Sequence, residues 1–137
     1  MFTLSVIFNK DMDKVLMCRH KKQRALNFIG GKVESGENEL AASYRELQEE
    51  TGITKDDVSL QFLRYESVTE CGGGVWNMYI TTGILNKDVE LRMETNPLVW
   101  VPIRDVSTII ESFHPGSCYM YMMAAIKVLT RHKEGSL

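Results

Sequence analysis

The residues of this sequence best suited to chemistry are its glutamates. At about 100° per residue, a helix over Glu39 to Thr51 carries Glu39, Glu46, Glu49 and Glu50 on one side and Leu40, Tyr44, Leu47 and Thr51 on the other. One side is a core face and the other a carboxylate cluster. Like charges three and four positions apart repel and weaken a helix, so Glu46, Glu49 and Glu50 call for a neutralising partner. Hard divalent cations such as Mg²⁺ take oxygen ligands and keep positions open for substrate phosphates, which makes metal-assisted phosphate chemistry the natural reading of the cluster. A glutamate-rich face that is merely solvated is the alternative. Local chemistry sets the helix ends, with Asn38 as a good N-cap and Gly52 as a good residue just past the C-terminus.

The rest of the chain must position that helix. With 137 residues and 44% hydrophobic content it is long enough for one domain with a real core, residues 1–137, and too short for two. A net charge of −2 and a pI near 5.9 leave no basic footprint, which argues against a nucleic-acid polymer as partner. Cys18, Cys71 and Cys118 form no CxxC pair and read as buried thiols in a reducing compartment. No stretch approaches the roughly 18 apolar residues of a membrane span, and the N-terminus lacks a signal pattern, so a cytoplasmic protein with no membrane partner is expected.

Alternation predicts strands at Phe2–Phe8 and Val15–Arg19, joined through Asn9–Asp13 as an antiparallel hairpin. A cationic run, Arg19 to Arg24 with His20 within it, follows, then a short apolar segment Leu26–Ile29 and the pair Gly30-Gly31, where backbone can bend sharply or come close to a ligand. Long strands are expected at Val58–Val68 and Val75–Leu85 around Cys71–Gly74, and a short one at Leu98–Val101 that Pro102 stops. Helices are expected at Asp105–Glu111 and Cys118–Arg131, with a turn at Phe113–Ser117 between them. In this order the elements suggest an α/β fold, a mixed sheet with helices on both faces.

The spacing is more specific than the composition. Gly31, five residues, Glu37, seven residues, Arg45-Glu46-Leu47, one residue, Glu49-Glu50, one residue, Gly52-Ile53 resembles the Nudix box of the Nudix hydrolase superfamily at all nine fixed positions. The approach Asn27–Val33 is similar to that of MutT-like nucleoside triphosphate pyrophosphohydrolases. The resemblance implies a Nudix-type α/β/α sandwich, a mixed β-sheet between helices. It also implies hydrolysis of a nucleoside diphosphate linked to another moiety, with Mg²⁺, or alternatively Mn²⁺, as cofactor. By position it makes Glu46, Glu49, Glu50 and the carbonyl oxygen of Gly30 metal ligands, with Glu94 as a further ligand outside the box and Glu90 its rival. Glu46 becomes a candidate base, directly or through a bound water. Arg45 becomes the residue that pairs with Glu37 and holds the loop to the helix, and Lys32 is placed to meet phosphate or a box carboxylate.

Substrate choice in this superfamily is set outside the box. Asn27 matches a base-contacting position in oxidised-purine triphosphatases, which favours a purine nucleotide, and Arg19, ahead of His20 and Arg24, is the best candidate for touching phosphate. His114, Tyr79, Trp76 and Phe28 are candidate stacking groups. In the turn Phe113–Cys118, Gly116 and Ser117 stand where such enzymes present aspartates or an asparagine. A site built on those hydrogen bonds loses discrimination steeply without them. The expected partner is therefore a nucleoside triphosphate, with no particular oxidised base, and the chain a monomer or homodimer. A non-catalytic Nudix module that binds a nucleotide or a protein is the competing class, although such modules typically lose box glutamates. A hydrolase of another nucleotide conjugate is the other alternative.

Overall fold

The structure is a computed structural model. It describes residues 1–19, 26–69, 75–89, 91, 98–106, 127 and 130–131, with backbone only for 19, 26, 27, 68, 69 and 76. Among the described residues, seven strands, β1 (Phe2–Phe8), β2 (Lys14–Arg19), β3 (Leu26–Asn27), β4 (Ile29–Lys32), β5 (Gln61–Thr69), β6 (Val75–Ile84) and β7 (Leu98–Pro102), form one mixed sheet beside helix α1 (Glu39–Thr51). The fold is α/β. The main path runs β3-β2-β1-β6-β5, with β4 also pairing β1 and β7 also pairing β2.

Strand β1 is central because both of its faces are buried: residues 3 to 8 are all enclosed. Leu4, Val6 and Phe8 point to one face and pack with Val15, Met17, Phe28, Met78, Ile80, Val101 and Val106. Ile7 points to the other, toward Leu16, Cys18, Ile29, Leu47, Ile53, Val58 and Leu60 under α1. Alternation thus assigns each residue to one of two cores, as pleat geometry requires.

The expected hairpin of β1 and β2 is present only at its turn. Asn9 Oδ1 accepts from the Asp13 and Lys14 amides at 3.0 and 2.9 Å, yet the strands pair only at Phe8↔Val15. They part because β4 takes the same edge of β1, with Ser5↔Ile29, Leu4↔Gly30, Thr3↔Gly31 and Phe2↔Lys32 in register. Strand β2 turns instead to β7 and β3. On its other edge β1 runs parallel to β6, the pairing that makes the sheet mixed.

The segment expected as one apolar piece, Leu26–Ile29, is two strands, because Phe28 turns into the core at 3% exposure and the chain changes partner there. Val58 makes only an isolated bridge to Leu85, so β5 starts later than expected, at Gln61. Past Pro102 the described chain makes a short 3-10 turn, Ile103–Asp105, and Val106 is helical, as the helix expected from Asp105 requires. The remainder of that helix and the 113–118 turn lie outside the described residues, and of the last predicted helix Lys127, Thr130 and Arg131 are helical.

Helix α1 starts and ends as its sequence dictates. Asn38 Oδ1 accepts from the Ala41 amide at 2.8 Å, and the Gly52 amide returns to the Gln48 carbonyl at 2.9 Å with φ at 82°. Its buried stripe is Ala42, Ser43, Leu47 and Thr51, while Leu40 and Tyr44 are only half-buried. Small side chains at 42 and 43 let the helix sit close to the sheet. The Tyr44 hydroxyl oxygen accepts the Leu60 amide at 2.8 Å and ties the helix to the approach of β5.

Candidate active site

Helix α1 lies against β4, so the carboxylate face of one meets the Gly30-Gly31 backbone of the other. A Cβ on Gly31 would collide with the Glu46 carboxylate, and one on Gly30 with the carbonyl oxygen of Thr3. The two glycines are therefore required for different neighbours. Gly30 donates its amide to the Glu50 carboxylate. A strand residue presents its N–H and C=O on the same edge, so the Gly30 carbonyl also points away from β1, toward the helix.

Arg45 organises the loop ahead of the helix. Its guanidinium forks onto Glu37, Nε to Oε2 at 2.9 Å and Nη2 to Oε1 at 2.7 Å. Nη2 also donates to the Lys32 carbonyl at 2.9 Å, and Nη1 to Glu46 at 3.0 Å and Glu49 at 3.4 Å. Glu37 accepts the Glu34 amide at 2.8 Å as well, which closes the loop on itself. The Arg45 hydrogen bonds, helped by that amide, hold the Glu37 carboxyl down to about 2, and Glu37 in turn keeps Arg45 cationic. Lysine cannot make this planar five-donor pattern. Arg45→Lys is expected to lower kcat/KM by about 10- to 100-fold through a loosened loop and misplaced Glu46, with the helix retained by circular dichroism.

Glu46 and Glu50, one helical turn apart, face each other and β4, with Glu46 only 16% exposed. Burial first, then the charge of Glu46, pushes the Glu50 carboxyl up to about 7 against the opposing pull of the Gly30 amide. Burial also raises Glu46, which Arg45 partly offsets. Glu49 is different: its side chain is 60% exposed and turned to Arg45. The acidic face expected as one unit is thus a crowded pair with a solvated neighbour. Glu39 lies two turns away and accepts a hydrogen bond from Tyr79.

Two crowded carboxylates, of which only Glu46 has a cationic partner in Arg45, beside a glycine carbonyl, suit a hard divalent cation as oxygen donors. Among the described residues, no three His, Cys, Asp or Glu side chains already surround one point. Glu49 would have to swing away from Arg45 to join Glu46 and Glu50.

Of the other expected site residues, Lys32 is exposed at the end of β4, and its carbonyl accepts from Arg45. Arg19 and Asn27 are placed by backbone alone, Arg19↔Leu26 and Cys18↔Asn27 in the β2–β3 ladder. His20, Arg24, Glu90, Glu94, His114 and Ser117 lie outside the described residues, as does the Trp76 side chain. Phe28 is core and not a stacking group.

Cys18 is a neighbour of the site that the sequence did not flag. It is buried on the α1 side of β2, and burial, with Glu50 nearby, pushes its thiol up to about 11. Only the strand order brings it there.

A NUDIX domain model matches residues 3–119. The chain belongs to the NUDIX domain family. Over 55 residues it is 47% identical to an RNA pyrophosphohydrolase of Haemophilus ducreyi, and over 68 residues 31% identical to one of Ruthia magnifica. These matches span 40% and 46% of this chain but only 27% and 38% of the relatives. Among solved structures, a Caenorhabditis elegans Ap4A hydrolase superposes with a TM-score of 0.71 at 22% identity over 98% of this chain and 95% of that one. A MutT of Aliivibrio salmonicida or Vibrio cholerae superposes at 0.59 with 25% identity over 78% and 82%. The Nudix fold and the MutT-like box expected from the sequence are both borne out. Among the described residues no helix is long and apolar enough to cross a membrane.

Proposed function

We propose that this Nudix protein hydrolyses a phosphoanhydride bond in a nucleoside diphosphate-linked substrate, with a nucleoside triphosphate cleaved to monophosphate and pyrophosphate as the leading case and Mg²⁺ as the ion. The observation that carries the reading is the Arg45–Glu37 fork, which holds the box loop while Glu46 and Glu50 are pressed together against Gly30-Gly31. A regulatory module has no need to keep two carboxylates in so unfavourable a contact.

In this reading Glu46, Glu49, Glu50 and the Gly30 carbonyl hold the ion. When bound, it polarises phosphoryl oxygens and lowers the pKa of an attacking water. Glu46 is the candidate base, and the Glu46–Glu50 pair shares its protons, so the acid–base role belongs to the pair. Arg45 and Glu37 position the loop and touch no substrate. Lys32, with Arg19 on β2, is assigned to phosphate, and Asn27 on β3 to a purine base. Glu94 as a further ligand and the His114–Ser117 turn as a specificity loop complete the proposal. The names of the relatives support a pyrophosphohydrolase, and those of the structural neighbours allow other nucleotide conjugates.

Pyrophosphate and phosphate release, measured over a panel of nucleoside triphosphates, dinucleoside polyphosphates and 5′-triphosphorylated RNA with Mg²⁺ or Mn²⁺, tests this. Turnover of at least one class is expected, and Glu49→Gln is expected to reduce it by orders of magnitude with its melting temperature close to wild type. Inactivity on every class would favour the binding module, and full activity in Glu49→Gln would overturn the site.

A further inference from the structure

Strand β5 ends the sheet. It pairs with β6 along one side, and among the described residues no strand pairs with the other. Such an edge is a template for a further strand, and proteins usually blunt it with proline or lysine. The sequence of β5, QFLRYESVT, has neither. It shows Phe62 at 51% and Tyr65 at 46% exposure on the α1 side. Both rings meet Tyr79 edge to face, at 5.8 and 5.2 Å between centroids. On the opposite side of the same strand Arg64 and Glu66 form an ion pair at 3.1 Å, with Lys127 at 3.9 Å from the same glutamate oxygen. The Arg64–Glu66 pair is imperfect: Arg64 Nε is enclosed and, among the described residues, has no hydrogen-bond partner of good geometry.

We propose that two copies of this chain pair antiparallel along β5, about a twofold axis through Tyr65. An axis normal to the sheet keeps each face on its own side, so only residues of the same pleat parity can stand opposite one another. The self-pairings open to the strand are therefore those centred on a residue. Centred on Arg64, the pairing sets two guanidinium groups against each other. Centred on Glu66, it sets two carboxylates against each other. Centred on Tyr65, it sets each Arg64 opposite Glu66 of the other copy, two cross-strand pairs of opposite charge on one face, with the two Tyr65 rings meeting on the other. Opposite charges directly across strands stabilise a ladder and like charges disfavour it, and the Tyr65-centred register is the one that sets Arg64 directly opposite Glu66.

The bulge between Phe62 and Arg64 limits the regular ladder to the stretch around Tyr65. The twofold closes the contact, so no open stack of strands grows from it. A polyanion is a poor occupant of the aromatic side, because the charged neighbour described there is Glu39, bonded to Tyr79. A second copy supplies its own aromatic rings and the complementary charges.

Sedimentation equilibrium from low micromolar to near-millimolar concentration should show wild type passing from monomer to dimer. Arg64→Glu and Glu66→Arg should each sediment as monomers where wild type is dimeric. An equimolar mixture of the two should regain the dimer mass, because a strand with two carboxylates then lies against a strand with two guanidinium groups and both cross-strand pairs are again of opposite charge. Tyr65→Lys, a substitution at an exposed position, should also be monomeric, and circular dichroism checks that each variant is folded. Wild type monomeric throughout, dimers persisting in the folded charge variants, or a mixture of folded variants that stays monomeric would overturn the proposal.

Discussion

Glu50→Gln should cut turnover by about 100-fold or more and, at the same time, stabilise the protein in chelator above pH 7. The two effects share one cause. In the fold, burial and the facing Glu46 push the Glu50 carboxyl up to about 7, whereas in the unfolded chain it titrates at the ordinary carboxylate value. Between those values the folded state holds a proton that the unfolded state has lost, so stability falls as pH rises through that window and stays lower above it. At 1.36 kcal/mol per pKa unit, the penalty above pH 7 is of the order of 3 kcal/mol. Glutamine keeps the shape and the acceptor for the Gly30 amide but carries no charge. In EDTA the variant should therefore melt on the order of 10 °C above wild type at pH 8 and close to it at pH 5. With metal and substrate it should lose about 100-fold or more in kcat, because a bound cation supplies several kcal/mol of transition-state stabilisation and each 1.4 kcal/mol or so is tenfold. Equal melting temperatures at pH 8 would show that the carboxylates are not crowded as described. Undiminished turnover would remove Glu50 from the site.

That opposition of function and stability was half visible in the sequence. Helical periodicity brought Glu46 and Glu50 to one face, and the caps Asn38 and Gly52 fixed where the helix begins and ends, because both depend on residues close in sequence. What the glutamates face could not be read the same way. Gly30 reaches Glu50 only because β4 takes the edge of β1 from β2, a competition between strands that local alternation does not decide. Cys18 lies near Glu50 for the same non-local reason. Periodicity also treated Glu49 as equivalent to its neighbours, yet Arg45, four positions earlier, draws it outward. The Arg45–Glu37 fork was anticipated through the resemblance to the Nudix box, whereas Tyr79 bonding Glu39 needed the sheet order first.

Alanine at Gly30 and at Gly31 should fail in different ways, although the two residues are adjacent. The neighbour that a new Cβ meets at position 30 is the carbonyl oxygen of Thr3, part of a central strand buried on both faces. Backbone there cannot yield without breaking the β1–β4 ladder, on which the placement of α1 depends. Gly30→Ala is therefore expected to destabilise the fold by about 3 kcal/mol or more, in the range of severe overpacking, with loss of soluble protein or a strongly lowered melting temperature. At position 31 the neighbour is the Glu46 carboxylate, the end of a side chain that can rotate. Gly31→Ala should cost about 1 kcal/mol or less in stability, and the displaced carboxylate should carry most of the effect. Its kcat is expected to fall by about 100-fold or more, since a catalytic group moved by an ångström loses roughly that much, and its metal affinity should fall with it. Chemical denaturation and metal titration by calorimetry separate the outcomes. If Gly31→Ala unfolds as readily as Gly30→Ala, the glycine pair is a folding requirement alone. If it binds metal and turns over like wild type, Glu46 is not held where β4 and α1 place it.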